Sequence, residues 1–170
     1  MKLKSYLAIA ALAMLAACGE PYRATETTVV LAPTTARTSF TTQYPYASNV
    51  VWMRYDATQV APIDWEMAGW TALDENDYLV KFDLDNNNYY AWYDQNGDWV
   101  GTAYVVTDFN SLPLAVNTTI SRDYPGYTIT SVNREFQRDR IAYEIEMKNG
   151  DTKVKALIDT YGNVIKVKTK

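Results

Sequence analysis

The sequence predicts an α+β protein made of two tandem repeats, each a short helix packed on a four-stranded antiparallel sheet. Three observations carry that expectation: a self-similarity between the halves of the chain, apolar residues at helical spacing in two places, and eight stretches of period-two alternation.

The self-similarity is read residue by residue. Pro33, Ala36, Phe40, Tyr44 and Pro45 recur 80 positions later as Pro113, Val116, Ile120, Tyr124 and Pro125, and Trp52 falls on Val132. Further along, Tyr78, Val80, Phe82, Asp94 and Gly97 recur at an offset of 65 as Tyr143, Ile145, Met147, Asp159 and Gly162. The drop from 80 to 65 places an insertion of 15 residues in the first half, between Tyr55 and Asn76.

Each repeat opens on apolar residues at i, i+4 and i+8 behind a Pro, the pattern of a short amphipathic helix, with Ser111 the expected N-cap of the second. The helix stops at Tyr-Pro, because proline's ring pushes the preceding residue out of the α region. Strands are expected at Val50–Tyr55, Tyr78–Asp83, Tyr89–Tyr93 and Trp99–Val106, then at Thr128–Arg134, Ala142–Met147, Thr152–Ile158 and Val164–Lys168. Asn149-Gly150 signals a two-residue hairpin, and Asn96-Gly97 and Gly162-Asn163 supply the next turn in each half.

Ahead of the repeats, Lys2 and Lys4 precede an apolar run from Tyr6 to Leu15, the layout of a secretory signal and too short to span a bilayer. The run closes on Leu15-Ala16-Ala17-Cys18, which resembles the lipobox of bacterial lipoproteins. That resemblance implies cleavage before Cys18 and lipid on its thiol, a membrane anchor in which each buried CH₂ contributes about 0.8 kcal/mol. Residue 19 is Gly and not the Asp that retains lipoproteins at the inner membrane, which favours the outer membrane. The Thr-rich stretch that follows reads as a tether or a leading strand, with a reach of about 3.3 Å per extended residue. The expected organisation is a signal peptide over 1–17, lipidated Cys18 and tether over 18–32, a first repeat over 33–107 with its insertion at about 56–75, and a second repeat over 108–170.

Charge and missing residue types narrow the function. Two of the 16 basic residues fall in the leader, leaving 14 against 20 acidic ones, a balance that argues against a nucleic-acid partner. The chain has no histidine and its one cysteine is the expected anchor, which removes the commonest general base, the Ser-His and Cys-His pairs and the commonest metal ligand. The protein reads as a non-enzyme that needs no cofactor and no metal. A hydrolase working with acid/base carboxylates would need two of them converging in a cleft. Asp83-Leu84-Asp85-Asn86-Asn87-Asn88 with Asp94 has the oxygen spacing of a calcium loop, but Asn88 stands where that loop needs Gly, and a polar hairpin tip is the better reading. Asn117-Thr118-Thr119 fits a glycosylation sequon by chance spacing on a helix.

A Pro-led helix ending in Tyr-Pro, a Trp strand, a Tyr-x-Val-x-Phe strand and Tyr93-Asp94-Gln95-Asn96-Gly97-Asp98-Trp99 together resemble the PepSY-like family of bacterial exported proteins, grouped with the β-lactamase-inhibitor-protein fold. The second copy matches more loosely, as Ile158-Asp159-Thr160-Tyr161-Gly162-Asn163-Val164, and the insertion departs from the pattern. The resemblance implies tandem helix-plus-sheet units and a role in binding or inhibiting another exported protein.

Comparing the halves locates a candidate surface. Ser131, Asn133, Glu135, Glu144, Lys155, Leu157 and Val164 read as a mostly wet face in the second half, while their counterparts Val51, Met53, Tyr55, Leu79, Tyr90, Trp92 and Trp99 are apolar and aromatic. Such a patch needs a cover. The insertion, with Ile63, Trp65, Met67 and Trp70, could fold over it, or the second half could dock there. Otherwise the face binds an envelope protein or peptide, or stacks sugar rings, through Tyr90, Trp92 and Trp99 with Tyr55 and Asp85 at the rim. A structural envelope lipoprotein with a wholly internal aromatic face is the alternative.

Overall fold

The computed structural model describes residues 30–58 and 62–169. The expected leader, the lipid site at Cys18 and most of the tether lie outside the described residues. The chain forms α1 (Thr34–Gln43), β1 (Ser48–Arg54), α2 (Trp65–Ala68), β2 (Tyr78–Leu84), β3 (Asn87–Tyr93), β4 (Trp99–Val105), a 3₁₀ turn (Phe109–Ser111), α3 (Leu114–Asp123), β5 (Thr128–Gln137), β6 (Arg140–Asn149), β7 (Thr152–Asp159) and β8 (Val164–Thr169).

The architecture is α+β, with all eight strands in one antiparallel sheet whose spatial order is the chain order. Two separate sheets were expected. They merge because β4 pairs with β5, Thr102 opposite Phe136 and Val105 opposite Asn133, which satisfies backbone groups that two free edges would leave open.

The two ten-residue helices, α1 and α3, are punctuated by the residues that marked them in the sequence. Pro33 and Pro113 occupy the N-cap positions, and the backbone N–H of Tyr44 and Tyr124 closes each helix on the carbonyls of Phe40 and Ile120. Ser111 is not the cap of α3: its hydroxyl donates to the Asp108 carbonyl inside the 3₁₀ turn, two residues upstream of Pro113. Ala36 and Phe40 pack α1 onto Trp52, Val80, Phe82 and Tyr93, while Val116 and Ile120 pack α3 onto Val132, Ile145, Met147 and Ile158. Register across β3, β4 and β5 puts these two cores on the same face of the sheet.

The start of each helix rests on a glycine turn. Asp94 accepts from the backbone N–H of Asn96 and Asp98, and Asp159 accepts in the same way from Tyr161 and Asn163. Gly97 and Gly162 sit in these turns at φ 90° and 86°. A Cβ there would lie 2.6 Å from the Ala36 nitrogen in one case and 2.7 Å from the Ala115 oxygen in the other.

The β2–β3 hairpin turns on Asp85 and Asn86, both at positive φ (49° and 61°), the two-residue geometry that matches strand twist. Asp94 lies past the far end of β3, so the oxygens of the calcium-loop spacing do not converge. In the β6–β7 hairpin, Asn149 pairs with Thr152, so the turn residues are Gly150 and Asp151, one position on from the sequence signal. Among the described residues no helix is long and apolar enough to cross a membrane.

Candidate functional site

The insertion closes the sheet face that carries no long helix. Asp64 caps α2 by accepting from Glu66 N–H, and Gly69 ends it in the left-handed conformation. Ile63, Ala68 and Trp70 then bury against Met53, Leu79, Trp92 and Ala103. Trp65, Trp70 and Trp92 form a triangle of edge-on rings with centroids 5.2 to 5.4 Å apart. Trp92, expected at the centre of an exposed aromatic surface, is fully buried, and Tyr90 and Tyr55 are half-buried at the margin of this cluster. The 15-residue insertion is the cover, and its indoles bury apolar surface against Trp92 and the sheet.

The described part of the insertion, a strap over residues 62–74, continues over the second half of the same face, where the expected wet surface is also covered. Asn133, Glu135, Glu144 and Leu157 are buried there. Met67 packs there on Ala142 and Leu157, and polar contacts surround it: Asn133 Nδ2 donates to the Pro62 carbonyl, Arg140 to the Ala68 carbonyl and Lys166 to the Glu66 carbonyl. Asp64 N–H donates to Glu144 Oε2 at 2.9 Å, and Lys168 pairs with the Glu66 carboxylate. Lys155 Nζ stands 3.0 Å from both Glu144 and Glu146 and 3.8 Å from Asp64.

Glu135 is 1% exposed, neither carboxylate oxygen accepts a hydrogen bond, Glu144 is its carboxylate neighbour, and its nearest cation, Arg140, is 4.0 Å away. Burial, and then the neighbouring Glu144 carboxylate, push its carboxyl up to about 8. Burial raises Glu144 as well, against the pull of Asp64 N–H and Lys155. The two glutamates come together, but sealed beneath the strap, and neither lines the groove described next.

That groove lies on the helix-bearing face. Trp92 pairs with Gly101 while Tyr93 pairs with Trp99, so Val100 is an extra residue that turns Trp99 away from Trp92 and Tyr90 and toward α1. Its indole N–H donates to Thr102 Oγ1 at 2.9 Å, and the same oxygen lies 2.6 Å from Tyr44 OH. Burial pushes the Tyr44 phenol up to about 12. Beside this trio opens a groove of about 700 Å³ between the end of α1 and the β5–β6 hairpin, lined by Tyr44, Tyr89, Trp99, Phe136, Arg138 and Tyr161 among others.

An aromatic row runs through the groove and across four strands: Phe82 to Tyr89 at 5.3 Å, Tyr89 to Tyr104 at 4.6 Å and Tyr104 to Phe136 at 6.0 Å. The Arg134 guanidinium covers Phe136 at 4.8 Å. Rings that are half-open, fixed by their neighbours and flanked by guanidinium and amide groups can hold an apolar or aromatic side chain and anchor a polar backbone beside it. Asp85 stands at the exposed tip of the β2–β3 hairpin, in a depression with Tyr46 and Asn86 that shares Leu84 with the groove, and its charge reaches Tyr89. Of the five residues expected to bind a partner, Trp99 lies in the groove, Asp85 lies beside it next to Leu84, and Tyr55, Tyr90 and Trp92 lie on the opposite face.

Comparison with known proteins places this geometry among relatives. The family described as "Putative beta-lactamase-inhibitor-like, PepSY-like" matches residues 76–166, more than half of the chain and the whole run from β2 into β8. Comparison with curated proteins gives no match. A BLIP-like protein from Bacteroides fragilis superimposes with a TM-score of 0.65 at 17% identity, over 84% of this chain and 89% of that one. A DUF2874 family protein from Bacteroides uniformis gives 0.62 at 20%, over 82% and 90%. A protein from Bacteroides eggerthii described as "putative periplasmic" gives 0.61 at 14%, over 82% and 90%. These likenesses are of fold.

Proposed function

This chain belongs to the PepSY-like, beta-lactamase-inhibitor-like family, and from that premise we propose that it is a lipid-anchored, non-catalytic protein of the cell envelope that binds or inhibits an exported protein or peptide. The observation that carries the reading is the aromatic groove beside α1, in which Trp99 and Tyr44 are locked to one buried hydroxyl and Tyr89 and Phe136 remain half-open. Locked aromatic side chains lose little entropy on binding, which is why they dominate contact energies. The Leu15-Ala16-Ala17-Cys18 motif and the periplasmic description of a fold relative support the envelope address.

We also infer that the two helix-plus-four-strand halves are copies of one unit. Pro-capped, Tyr-ended helices of ten residues, each resting on an Asp-x-x-Gly turn, support this reading.

A photo-crosslinking residue introduced at position 99 or 136 in cells tests the binding role. One discrete protein adduct is expected, and it should disappear when Tyr89 and Arg138 are both replaced by Ala; adducts that persist in that variant, or none at either position, reject the groove. The anchor is tested separately. Cys18→Ser should move the protein from the membrane pellet to the soluble envelope fraction and remove lipid from its N-terminal peptide in mass spectrometry.

A further inference from the structure

We propose that the strap formed by residues 62–74 is a proton-controlled latch on the back of the sheet, in which Glu135 carries the proton and Arg140 passes its state to the strap. This goes beyond the binding role above and does not rest on it. Glu135 projects from β5 into the strap interface with 1% exposure, its oxygens accept no hydrogen bond, and the Glu144 carboxylate is the neighbour to which its protonated form donates. A carboxyl group in that position requires either a proton or a cation.

The groups facing it are few. Glu144 and Arg140 face it from β6 and Lys155 from β7, while Asp64 approaches the same cluster from the strap. Lys155 is already held by Glu144, Glu146 and Asp64. Arg140 is divided: its Nη2 is 4.0 Å from Glu135 but donates to the carbonyl of Ala68, the last residue of α2.

While Glu135 is protonated, Arg140 is left to hold the strap. Loss of the proton puts an anion beneath the strap with one partly committed cation in reach. Closing the 4.0 Å gap draws Nη2 off the Ala68 carbonyl. The end of the strap that carries Gly69 and Trp70 then loosens. Asp64 and Glu66, paired with Lys155 and Lys168, hold its start in both states. Because burial and Glu144 keep the proton on Glu135 through neutral pH, the latch is closed in acid to neutral medium and opens in alkaline medium.

Hydrogen exchange with mass spectrometry on the mature chain tests this, with rates corrected for the intrinsic base-catalysed rise. Protection of peptides covering residues 63–73 should fall about tenfold between about pH 6 and about pH 9, while Glu135→Gln stays protected across the range. Unchanged protection in the wild type, or an equal fall in Glu135→Gln, overturns the latch. Should that variant fail to fold by far-UV circular dichroism, tryptophan emission of the wild type decides. A red shift in alkaline medium supports the latch, and a constant spectrum rejects it.

Discussion

The ring of Trp70 lies against Gly101: a Cβ on residue 101 would stand 2.8 Å from the Cη2, Cζ2 and Cζ3 atoms of the indole. Trp70 belongs to the strap and Gly101 to β4, directly opposite Trp92, so the missing side chain is the socket that lets the strap close on the sheet. Gly101→Ala should destabilise the protein by roughly 1–3 kcal/mol, the usual cost of overpacking a filled site. Urea unfolding of Gly101→Ala, Trp70→Leu and the double variant checks it. The second substitution should relieve much of the first, a coupling expected only of groups in contact. Equal costs of Gly101→Ala with Trp70 and with Leu at position 70 would show that the strap does not press on β4.

The glycine turns beneath the helices make a paired prediction. Gly97 and Gly162 combine positive φ with close approach to a helix start, so an added methyl meets both backbone strain and a clash. Gly97→Ala and Gly162→Ala should each cost roughly 1–3 kcal/mol. Gly69, also at positive φ but with open space around its Cβ position, should cost less when replaced by Ala. Thermal unfolding of the three variants gives the order, and a Gly69→Ala penalty as large as the other two would mean that helix docking adds nothing.

Much of this fold was legible because its marks are local. Pro33, Pro113, Tyr44 and Tyr124 bound the helices where the sequence placed them, and strands starting at Tyr78, Trp99, Thr128, Thr152 and Val164 begin where alternation begins. The site was less legible because it depends on partners far apart in the chain. Trp99 and Val100 are both apolar, so the pattern does not say which of them faces α1, and the bulge at Val100 turns Trp99 to that face. Glu135, Glu144 and Asn133 read as solvated because charged and amide groups usually are, and the strap groups that bury Asn133 and Glu144 lie 71 and 80 residues away. Gly101, a glycine inside a strand pattern, was the one local sign of a close approach.

Thr102 joins the groove to the core. Its hydroxyl, fully buried, is shared by Tyr44 OH and Trp99 Nε1, so Thr102→Val keeps the shape but leaves two polar groups without their partner. The expected loss is roughly 1–3 kcal/mol, with Trp99 freed to take other rotamers. Its emission should broaden and red-shift in a variant whose other tryptophans are replaced by Phe. Unchanged stability and emission would mean that the trio does not hold the groove in shape.

Glu135 sets the sign of the pH dependence. Its folded-state carboxyl is raised to about 8 by burial and by Glu144, against roughly 4.3 for glutamate in an unfolded chain. The folded state therefore keeps its proton longer, and the stability this group contributes is fully present below about pH 4 and lost as pH rises through about 8. Relaxation and water entry temper the loss, which should amount to roughly 1–3 kcal/mol between about pH 5 and about pH 8. Glu135→Gln mimics the protonated acid and removes this slope. Glu144 titrates in both proteins, so the difference between them reports residue 135 together with its coupling to Glu144. Urea midpoints at the two pH values should therefore fall for the wild type and fall less for the variant, which at the higher pH is at least as stable. Identical slopes would place Glu135 in contact with water or a cation, outside the dry interface from which its proton affinity follows.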